Sequence, residues 1–429
     1  MKRKLWLVLA FVTISAVATQ AQQARDDIRR DVNLAASNYV AYRGPQKSLT
    51  ATPKGYEPYY ISHYGRHGSR YLIGAKAYDA PYHTLLRADS LALLSAKGRE
   101  VLDKVRLMRD EAEGRDGELT VLGAQQHQQI ARRMYERFPE VFAGKTHIDA
   151  KSTIVIRCIL SMGSALQTLT ALNPSLDIRH DASYHDMYYM NDEHSPYIKL
   201  RATEEAKDTL KAFNARHTDY RHLMATLFTH PDSASWLNVN ALGNQLMALA
   251  SNIQSTELRH QFSMWDIFTP DEIYDYWQRT NAFWYMYYGP SKETHQAGIY
   301  TQSKLLRNII ATADSCTRLT HPGATLRFAH ESCVMPLVCL LNLNGYGNTI
   351  DSLEELDDQG WNNYDIYPMG CNVQFVFYKP KGVSPVGADI LVKVLLNEDE
   401  ATLPISTDRA PYYHWRDVRA YLTQRVAGK

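Results

Sequence analysis

The sequence predicts an α/β fold in which helices flank a central, mostly parallel sheet and a second, all-helical domain is inserted. Strand-like and helix-like segments alternate at both ends of the chain, and helical periodicity alone dominates the middle. Polar residues directly follow several strands, which is where sheets of this class bind ligands. With 429 residues, 45% of them hydrophobic, the chain can build one large domain or two.

The first part of the chain alternates between strand and helix. Residues 56–63, YEPYYISH, are rich in Tyr and Ile and predict a strand, and glycines indicate a turn after it. Apolar residues recur at helical spacing in residues 83–113 and 119–138, and Thr120 is placed to cap the second of these helices. STIVIR then predicts a short buried strand that ends at Arg157 and leads into the helix CILSMGSALQTLTAL.

The middle of the chain has helical periodicity in EEAKDTLKAFNAR, LGNQLMALASNIQ and PDEIYDYWQRTNAFWYMYY. The alternation then returns, with the strands ATLRFAH, CNVQFVFYK and DILVKVLLNE and the helices VMPLVCLLNL and PYYHWRDVRAYLTQRV. We therefore predict that residues 25–179 and 298–429 form the α/β domain. Residues 180–297 are predicted to form the helical insertion.

The N-terminus predicts a signal peptide over residues 1–21. Lys2, Arg3 and Lys4 form a positive region, LWLVLAFVTISAVA is an apolar run, and Ala21 stands at a suitable cleavage position. We expect an exported protein, periplasmic or secreted. The apolar run is short for a membrane span and no later segment is long enough, so we expect no stable membrane insertion.

Composition narrows the possible functions. The 47 basic and 46 acidic residues give a net charge of +1, which argues against a nucleic-acid partner held by bulk charge. The five cysteines are odd in number and none has CxxC spacing, which excludes a zinc ribbon and leaves at least one thiol unpaired. The disulfide pairing and the oligomeric state stay open.

Polar side chains follow three of the predicted strands. Because the carboxyl ends of neighbouring parallel strands meet at one edge of a sheet, we expect these side chains to form a single pocket. The six candidate residues are Arg66, His67 and Arg70 in YGRHGSRY, Arg157 after STIVI, and His330 with Glu331 after ATLRFA.

These residue types are suited to phosphoryl transfer. Guanidinium groups match phosphoryl oxygens in a bidentate way, and a neutral imidazole can attack phosphorus and carry the group covalently. A carboxylic acid can protonate the leaving alkoxide and then, as a carboxylate, activate water. We expect no metal and no other cofactor, since the arginines supply the positive charge.

Several segments resemble the histidine phosphatase superfamily, in the branch that holds acid phosphatases and phytases. RHGSR matches its RHGxR signature, and LTVLGAQQH resembles its helix-opening LTxxGxxQ stretch. RCILSM resembles the segment with the third pocket arginine, RFAHESCVMP the late histidine-acid segment, and VLLNE a strand near the end. IFTPDEIYDYWQRTN looks like the helical domain of multiple inositol polyphosphate phosphatases. The matches span nearly the whole mature chain in the family's order.

The resemblance implies roles for the candidate residues. His67 would be the nucleophile that becomes phosphohistidine, and Arg66, Arg70, Arg157 and His330 would bind the phosphate oxygens. Phytases of the acid-phosphatase type carry His-Asp at the late segment, whereas inositol polyphosphate phosphatases typically carry His-Ala-Glu. This chain has His330-Glu331-Ser332 instead. We expect Glu331 to be the proton donor, with its extra methylene and a loop or helix-N-terminal conformation compensating for the offset.

The expected activity is that of an exported, metal-independent phosphomonoesterase acting on small phosphate esters, namely inositol polyphosphates such as phytate. A rate that is bell-shaped in pH, with an acidic to neutral optimum, is expected, because arginines should lower the pKa values of donor and nucleophile. Two alternatives stay open. One is a general acid phosphatase acting on sugar phosphates or nucleotides, and the other is a phosphate-ester binding protein with catalysis impaired by its His-Glu-Ser motif.

Overall fold

The structure is a computed structural model that describes residues 23–233 and 236–427 of the chain. The predicted signal peptide lies outside the described residues, so export stays a prediction. Among the helices of the described ranges, none has both the length and the apolar character that crossing a membrane requires.

A mixed sheet forms the centre of the fold. Its strands are β1 (Tyr56–Arg66), β2 (His147–Ser152), β3 (Asp177–Asp181), β4 (Gly323–Ala329), β5 (Asn372–Pro380), β6 (Leu391–Leu396), β7 (Asp399–Ala401) and β8 (Tyr413–His414). The order across the sheet is β3-β2-β4-β1-β5-β6-β7, and β8 pairs with β6. The first four strands in this order are parallel, and the remaining pairings are antiparallel. This sheet, flanked by helices, confirms the predicted α/β class.

The two central strands, β1 and β4, end at the same edge of the sheet, and the candidate residues lie at this edge. β4 is buried along its whole length and β1 along all but its first two residues, as expected for strands covered on both faces. Their parallel register pairs Arg66 with Ala329, so both strands end at the same level. His67 directly follows β1 and His330 directly follows β4. The backbones of these two residues therefore lie side by side.

The helices surround this sheet and extend to one side of it. They are α1 (Gln23–Arg30), α2 (Lys76–Ser90), α3 (Ala96–Ala112), α4 (Val121–Arg137), α5 (Ile156–Leu172), α6 (Met187–Met190), α7 (Tyr197–Leu200), α8 (Glu204–Arg216), α9 (Arg221–Leu227), α10 (Val239–Ile253), α11 (Pro270–Tyr288), α12 (Ala297–Tyr300), α13 (Ser303–Cys316), α14 (Glu331–Leu341), α15 (Asn363–Ile366) and α16 (Trp415–Arg425). The longest of them, α11, matches the predicted helix residue for residue.

The segment before Arg157 differs from the sequence prediction. The strand is the preceding run His147–Ser152, in which alternate residues are buried, and helix α5 already begins at Ile156. Arg157 therefore lies in the first turn of a helix, not at the end of a strand. The run TIVI is rich in β-branched residues, as strands are. Residues 153–155 instead connect β2 to α5, and Ile156 is the first residue of that helix.

The apolar core is divided among several clusters. One of them joins helices α2 and α3 with α9, α10 and α11, so the helices that follow β1 pack together with those of the predicted insertion. The domain boundaries at residues 180 and 297 stay a prediction. All five cysteines are unpaired, which agrees with the expectation that at least one thiol is free.

Candidate active site

The loop after β1 is fixed by backbone hydrogen bonds on both sides. The Arg66 amide donates to the Cys371 carbonyl at 2.8 Å, and the His67 amide donates to the Ala329 carbonyl at 3.0 Å. The His67 carbonyl accepts from the Gly370 amide at 2.9 Å. These bonds leave the main chain of residues 66 and 67 little freedom, so their side chains enter the pocket from fixed positions.

The LTVLGAQQH segment packs directly on this loop. Thr120 caps helix α4 and also donates its hydroxyl to the Ser69 carbonyl, and Gln126 exchanges two hydrogen bonds with Ser69. Gly68 and Gly123 face each other so closely that a Cβ on Gly68 would lie 2.3 Å from the Gly123 carbonyl oxygen. RHGSR and LTVLGAQQH, two of the segments that resemble the family, are therefore in direct contact. The loop and the helix approach so closely that each needs a glycine at the contact.

We expect Gly123→Ala to destabilise the protein and reduce its activity. The new Cβ would lie 2.2 Å from the Ser69 carbonyl oxygen and would push the loop away from the helix. Overpacking of this kind typically lowers the free energy of unfolding by about 1–3 kcal/mol. Urea unfolding measures it, with Gly163→Ala in helix α5 as the control, since its new methyl group would have no atom within 4 Å. The control should be neutral or stabilising, and equal losses in both variants would contradict the prediction.

The His67 ring is oriented with one nitrogen facing the pocket. Its Nδ1 lies 2.8 Å from the Gly68 carbonyl oxygen, which can only accept, so Nδ1 carries the proton of the neutral ring. The lone pair is then on Nε2. Burial holds the pKa of His67 well below its usual range, and Arg66 and Arg157 add to this while Glu331 opposes it. The sequence-based expectation named the arginines as the cause, whereas burial is the larger one.

Three guanidinium groups surround this imidazole, and each is anchored by one backbone carbonyl. Arg66 Nη1 donates to Tyr367 at 2.9 Å, and Arg70 Nη1 donates to Tyr71 at 2.9 Å. Arg157, half-buried at the start of α5, reaches the Gly117 carbonyl at 3.5 Å. We call Arg66, Arg70 and Arg157 the guanidinium cage.

The cage keeps several nitrogen atoms free for a ligand. Five buried nitrogens of this pocket have no hydrogen-bond partner among the described residues: Arg66 Nε and Nη2, Arg70 Nε, Arg157 Nε and His67 Nε2. Of these, Arg66 Nε forms an ion pair with Glu331. Buried polar groups in folded proteins are nearly always satisfied, so unsatisfied donors gathered at one place indicate a site for an acceptor. Three cationic donors around one nucleophilic nitrogen favour an anion with several oxygens.

His330 completes the pocket from the end of β4. Its ring centroid lies 5.6 Å from that of His67, and its Nε2 is 3.3 Å from the Thr153 hydroxyl. Burial, helped by the charge of Arg157, lowers the pKa of His330 to about 4. The ring is therefore neutral at pH 7 and can donate one hydrogen bond to a phosphate oxygen.

Glu331 is the first residue of helix α14 and its carboxylate lies inside the cage. Oε2 is 3.0 Å from Arg66 Nε and 3.6 Å from His67 Nε2, and Oε1 is 4.0 Å from Arg70 Nη2. Burial alone would raise the pKa of Glu331, but Arg66, His67 and Arg70 outweigh it and hold this pKa well below the usual range. The expected helix-N-terminal conformation is present, and it turns the glutamate toward His67.

His67, His330 and Glu331 are also the one group within the described ranges whose potential metal-ligand atoms lie within 4.8 Å of one another. The cage places three guanidinium charges beside the same atoms. A divalent cation would be repelled by that charge, whereas an anion would be attracted. The arrangement therefore favours an anionic ligand, and the expected absence of a metal stays a prediction.

The structure adds residues that the sequence did not indicate. Asn38 Nδ2 donates to Glu331 Oε1 at 3.2 Å, and the Tyr39 ring lies 5.2 Å from the Arg70 guanidinium carbon. Both belong to the segment Val32–Tyr39, which carries no recognisable motif. The six candidate residues all come together: Arg66, His67 and Arg70 lie at the end of β1 and in the loop after it, His330 and Glu331 lie where β4 passes into α14, and Arg157 lies in the first turn of α5.

Comparison with known proteins gives a consistent result. A family profile described as the histidine phosphatase superfamily, branch 2, matches residues 65–397. The multiple inositol polyphosphate phosphatase of Bifidobacterium longum, solved with inositol hexasulfate, has a TM-score of 0.75 at 19% identity, covering 90% of this chain and 97% of that chain. The phytase of D. castellii has a TM-score of 0.58 at 16% identity, covering 92% and 85%.

The phytase of Hafnia alvei has a TM-score of 0.52 at 12% identity, covering 88% of this chain and 98% of that chain. No curated protein sequence matches the chain significantly. The structural likenesses, all at low identity, establish a shared fold, and the family match extends over most of the chain. The chain therefore belongs to branch 2 of the histidine phosphatase superfamily, and it is a hydrolase of the phosphatase type.

Proposed function

We propose that the chain is an exported phosphomonoesterase that hydrolyses inositol polyphosphates, such as phytate, through a covalent phosphohistidine at His67. The observation that carries this proposal is the set of unsatisfied guanidinium nitrogens around an imidazole nitrogen that bears a lone pair. Export is supported by the signal-peptide pattern of residues 1–21. The proposal of inositol phosphates as the substrates is supported by proteins of similar fold, one of which is an enzyme solved with inositol hexasulfate.

In the first step, the His67 Nε2 lone pair attacks phosphorus and the bond between phosphorus and the ester oxygen breaks. Arg66, Arg70 and Arg157 hold the three equatorial oxygens, on which negative charge is spread in the transition state. Glu331, in its protonated form, gives its proton to the departing alkoxide. The products are a free alcohol, phosphohistidine and a glutamate carboxylate.

In the second step, the Glu331 carboxylate removes a proton from a water molecule as the water oxygen attacks phosphorus. The bond between phosphorus and Nε2 breaks, and its electron pair returns to the imidazole. Phosphate leaves, His67 is neutral again and Glu331 carries the proton for the next cycle.

The first step needs Glu331 in its protonated form, although its pKa is low in the free protein. The position of its carboxylate suggests how substrate binding raises that pKa. Its carboxylate lies next to Arg66 and His67, where a phosphoryl group of the substrate would lie. A bound phosphate shares the charge of Arg66 and Arg70 and adds negative charge nearby. Both effects raise the pKa of Glu331, which is the direction that a proton donor requires.

A polyphosphate substrate needs cations beyond the cage, and Arg201 is a candidate from residues 180–297. Its guanidinium carbon lies 4.0 Å from the Tyr288 ring centroid, and its Nη1 is 3.7 Å from Asp192. Tyr288 is in turn close enough to Glu331 for the carboxylate charge to contribute to its raised phenol pKa. Arg201 Nη1 is buried and has no hydrogen-bond partner in the described part of the chain, so the guanidinium group has donor capacity for a peripheral phosphate.

Arg201→Ala is expected to raise KM for inositol hexakisphosphate about tenfold, because one hydrogen bond to a charged group is typically worth about 1.5 kcal/mol or more. The kcat/KM for a nitrophenyl phosphate, which has one phosphate group, should change less than about twofold. Arg216→Ala is the matched control, since Arg216 lies on helix α8 and pairs with Glu354 at the surface. Phosphate release from both substrates measures the effect.

The same assay on the wild-type protein distinguishes the candidate functions. Efficient release from inositol hexakisphosphate supports the proposal. Release from nitrophenyl phosphate and sugar phosphates, with none from the hexakisphosphate, would indicate a general acid phosphatase. Binding of phosphate esters without any release would indicate a binding protein in which the His-Glu-Ser motif has impaired catalysis.

A further inference from the structure

A segment that precedes the sheet in sequence contacts the proposed proton donor. Asn38 is part of Val32–Tyr39, and its Nδ2 donates to Glu331 Oε1 at 3.2 Å across 293 positions of the chain. Of the groups that contact this carboxylate, Arg66 and Arg70 are cations and His67 faces Oε2 with Nε2, whereas Asn38 donates to Oε1 through an uncharged amide nitrogen.

The backbone that presents Asn38 is strained. Ser37 is buried with φ 54° and ψ −120°, a conformation that a non-glycine residue adopts at a cost of about 1–3 kcal/mol. Its hydroxyl accepts from Asn363 Nδ2 at 3.0 Å, and Asn363 Oδ1 accepts from the Trp277 indole at 3.0 Å. A buried network thus maintains the strain, and strain kept in place next to a site indicates that the position of the following residue matters.

We propose that Asn38 is a positioning residue for Glu331, holding Oε1 by a neutral hydrogen bond so that Oε2 is the oxygen that carries the proton. This inference rests on the proposed function. A protonated carboxyl has one carbonyl oxygen and one hydroxyl oxygen, and an amide donor bonds to the carbonyl oxygen. When substrate phosphate takes over the contacts to Arg66 and Arg70, Asn38 remains the partner of the acid and fixes which oxygen faces the ester.

The test compares two leaving groups in the first turnover. An inositol alkoxide needs a proton as it departs, whereas a nitrophenolate leaves without one. Asn38→Ala should therefore slow alcohol release from inositol hexakisphosphate about tenfold, which is part of the roughly 10²–10⁴-fold that general acid catalysis typically contributes. Release of nitrophenol from nitrophenyl phosphate should change less than about twofold. Glu331→Gln should give the same pattern with a larger loss.

Equal losses on both substrates would show a merely structural role for Asn38, and no loss on either would also overturn the inference. Asn33→Ala is the control, because Asn33 is exposed in the same segment and its side chain accepts from the Trp265 indole at 3.3 Å. His67→Ala separates this inference from the proposed function. If His67→Ala kept its activity, the proposed function itself would fail.

Asn38→Asp provides a second readout that preserves the side-chain shape, should the alanine variant not fold. A carboxylate beside Oε1 keeps Glu331 protonated to higher pH, so the alkaline limb of the rate profile should move upward by about one pH unit. The other charged or titratable groups near Glu331 are unchanged in this variant: Arg66, His67, Arg70, Arg157, Cys158, Tyr288, His330, Tyr367 and Cys371. An alkaline limb that stays in place would contradict the positioning role.

Discussion

His67→Ala is expected to abolish phosphate release, with kcat lower by about 10⁴-fold or more. In a covalent mechanism the nucleophile starts the reaction, so the remaining groups can bind the ester but cannot cleave it. His67 Nε2 lies 3.6 Å from Glu331 Oε2 and has no hydrogen-bond partner among the described residues. Substrate binding should largely persist, because the three guanidinium groups are intact.

The measurement that tests this assignment is the trapping of a phosphoenzyme. Wild-type protein mixed with labelled substrate and quenched in alkali should carry label, because phosphohistidine survives in alkali and hydrolyses in acid. His330→Ala is the informative comparison, since its ring lies 5.6 Å from His67 in the same pocket. It should turn over more slowly and still carry label, whereas His67→Ala should carry none. Label that persists in His67→Ala and is lost in His330→Ala would assign the nucleophile to the other ring.

Helices were predictable from the sequence where local signals agreed with packing. Helix α11 begins where Thr269 accepts from the Glu272 amide and Glu272 accepts in return, and Pro270 occupies the first helical position. Each of these signals is local, so the sequence displays them. Strand β3 (Asp177–Asp181) has no such signal, because its residues are mostly polar, none of them is fully buried, and it forms through parallel pairing with β2.

The residues of the candidate site were predictable where they belong to recognisable sequence motifs. RHGSR and the late His-Glu pair follow strands whose parallel register brings them together, so five of the six residues could be placed at one edge of the sheet. Arg157 was grouped with them because it follows a predicted strand and because RCILSM resembles the family's segment; it lies in the pocket, but its element is a helix. Asn38 was not predictable, because its contact with Glu331 spans most of the chain and depends on a strained turn at Ser37.

The protein is also expected to lose stability steeply in acid, because it buries histidines in their neutral form. Burial is the main cause that lowers the pKa of His63 to about 3 and those of His127 and His330 to about 4, and His67 shifts in the same direction. An unfolded chain binds these protons near pH 6.5, so below that pH it holds more protons than the native state. Stability is therefore complete above pH 6.5 and is lost as the pH falls toward 4. His63, His127 and His330 each contribute on the order of 3 kcal/mol to the loss.

His127 offers the sharpest test of this acid sensitivity, because its ring is fully buried and its centroid lies 5.6 Å from that of Phe328. His127→Leu keeps an apolar contact and removes one titrating group, so urea unfolding should show a smaller fall in stability between pH 7 and pH 5. His83→Leu, at an exposed position, should leave that fall unchanged. An identical pH dependence in wild type and His127→Leu would contradict the explanation. If this explanation is correct, activity falls in acid both because the protein unfolds and because His67 becomes protonated. Preincubation at low pH, followed by assay at the pH optimum, separates these two causes.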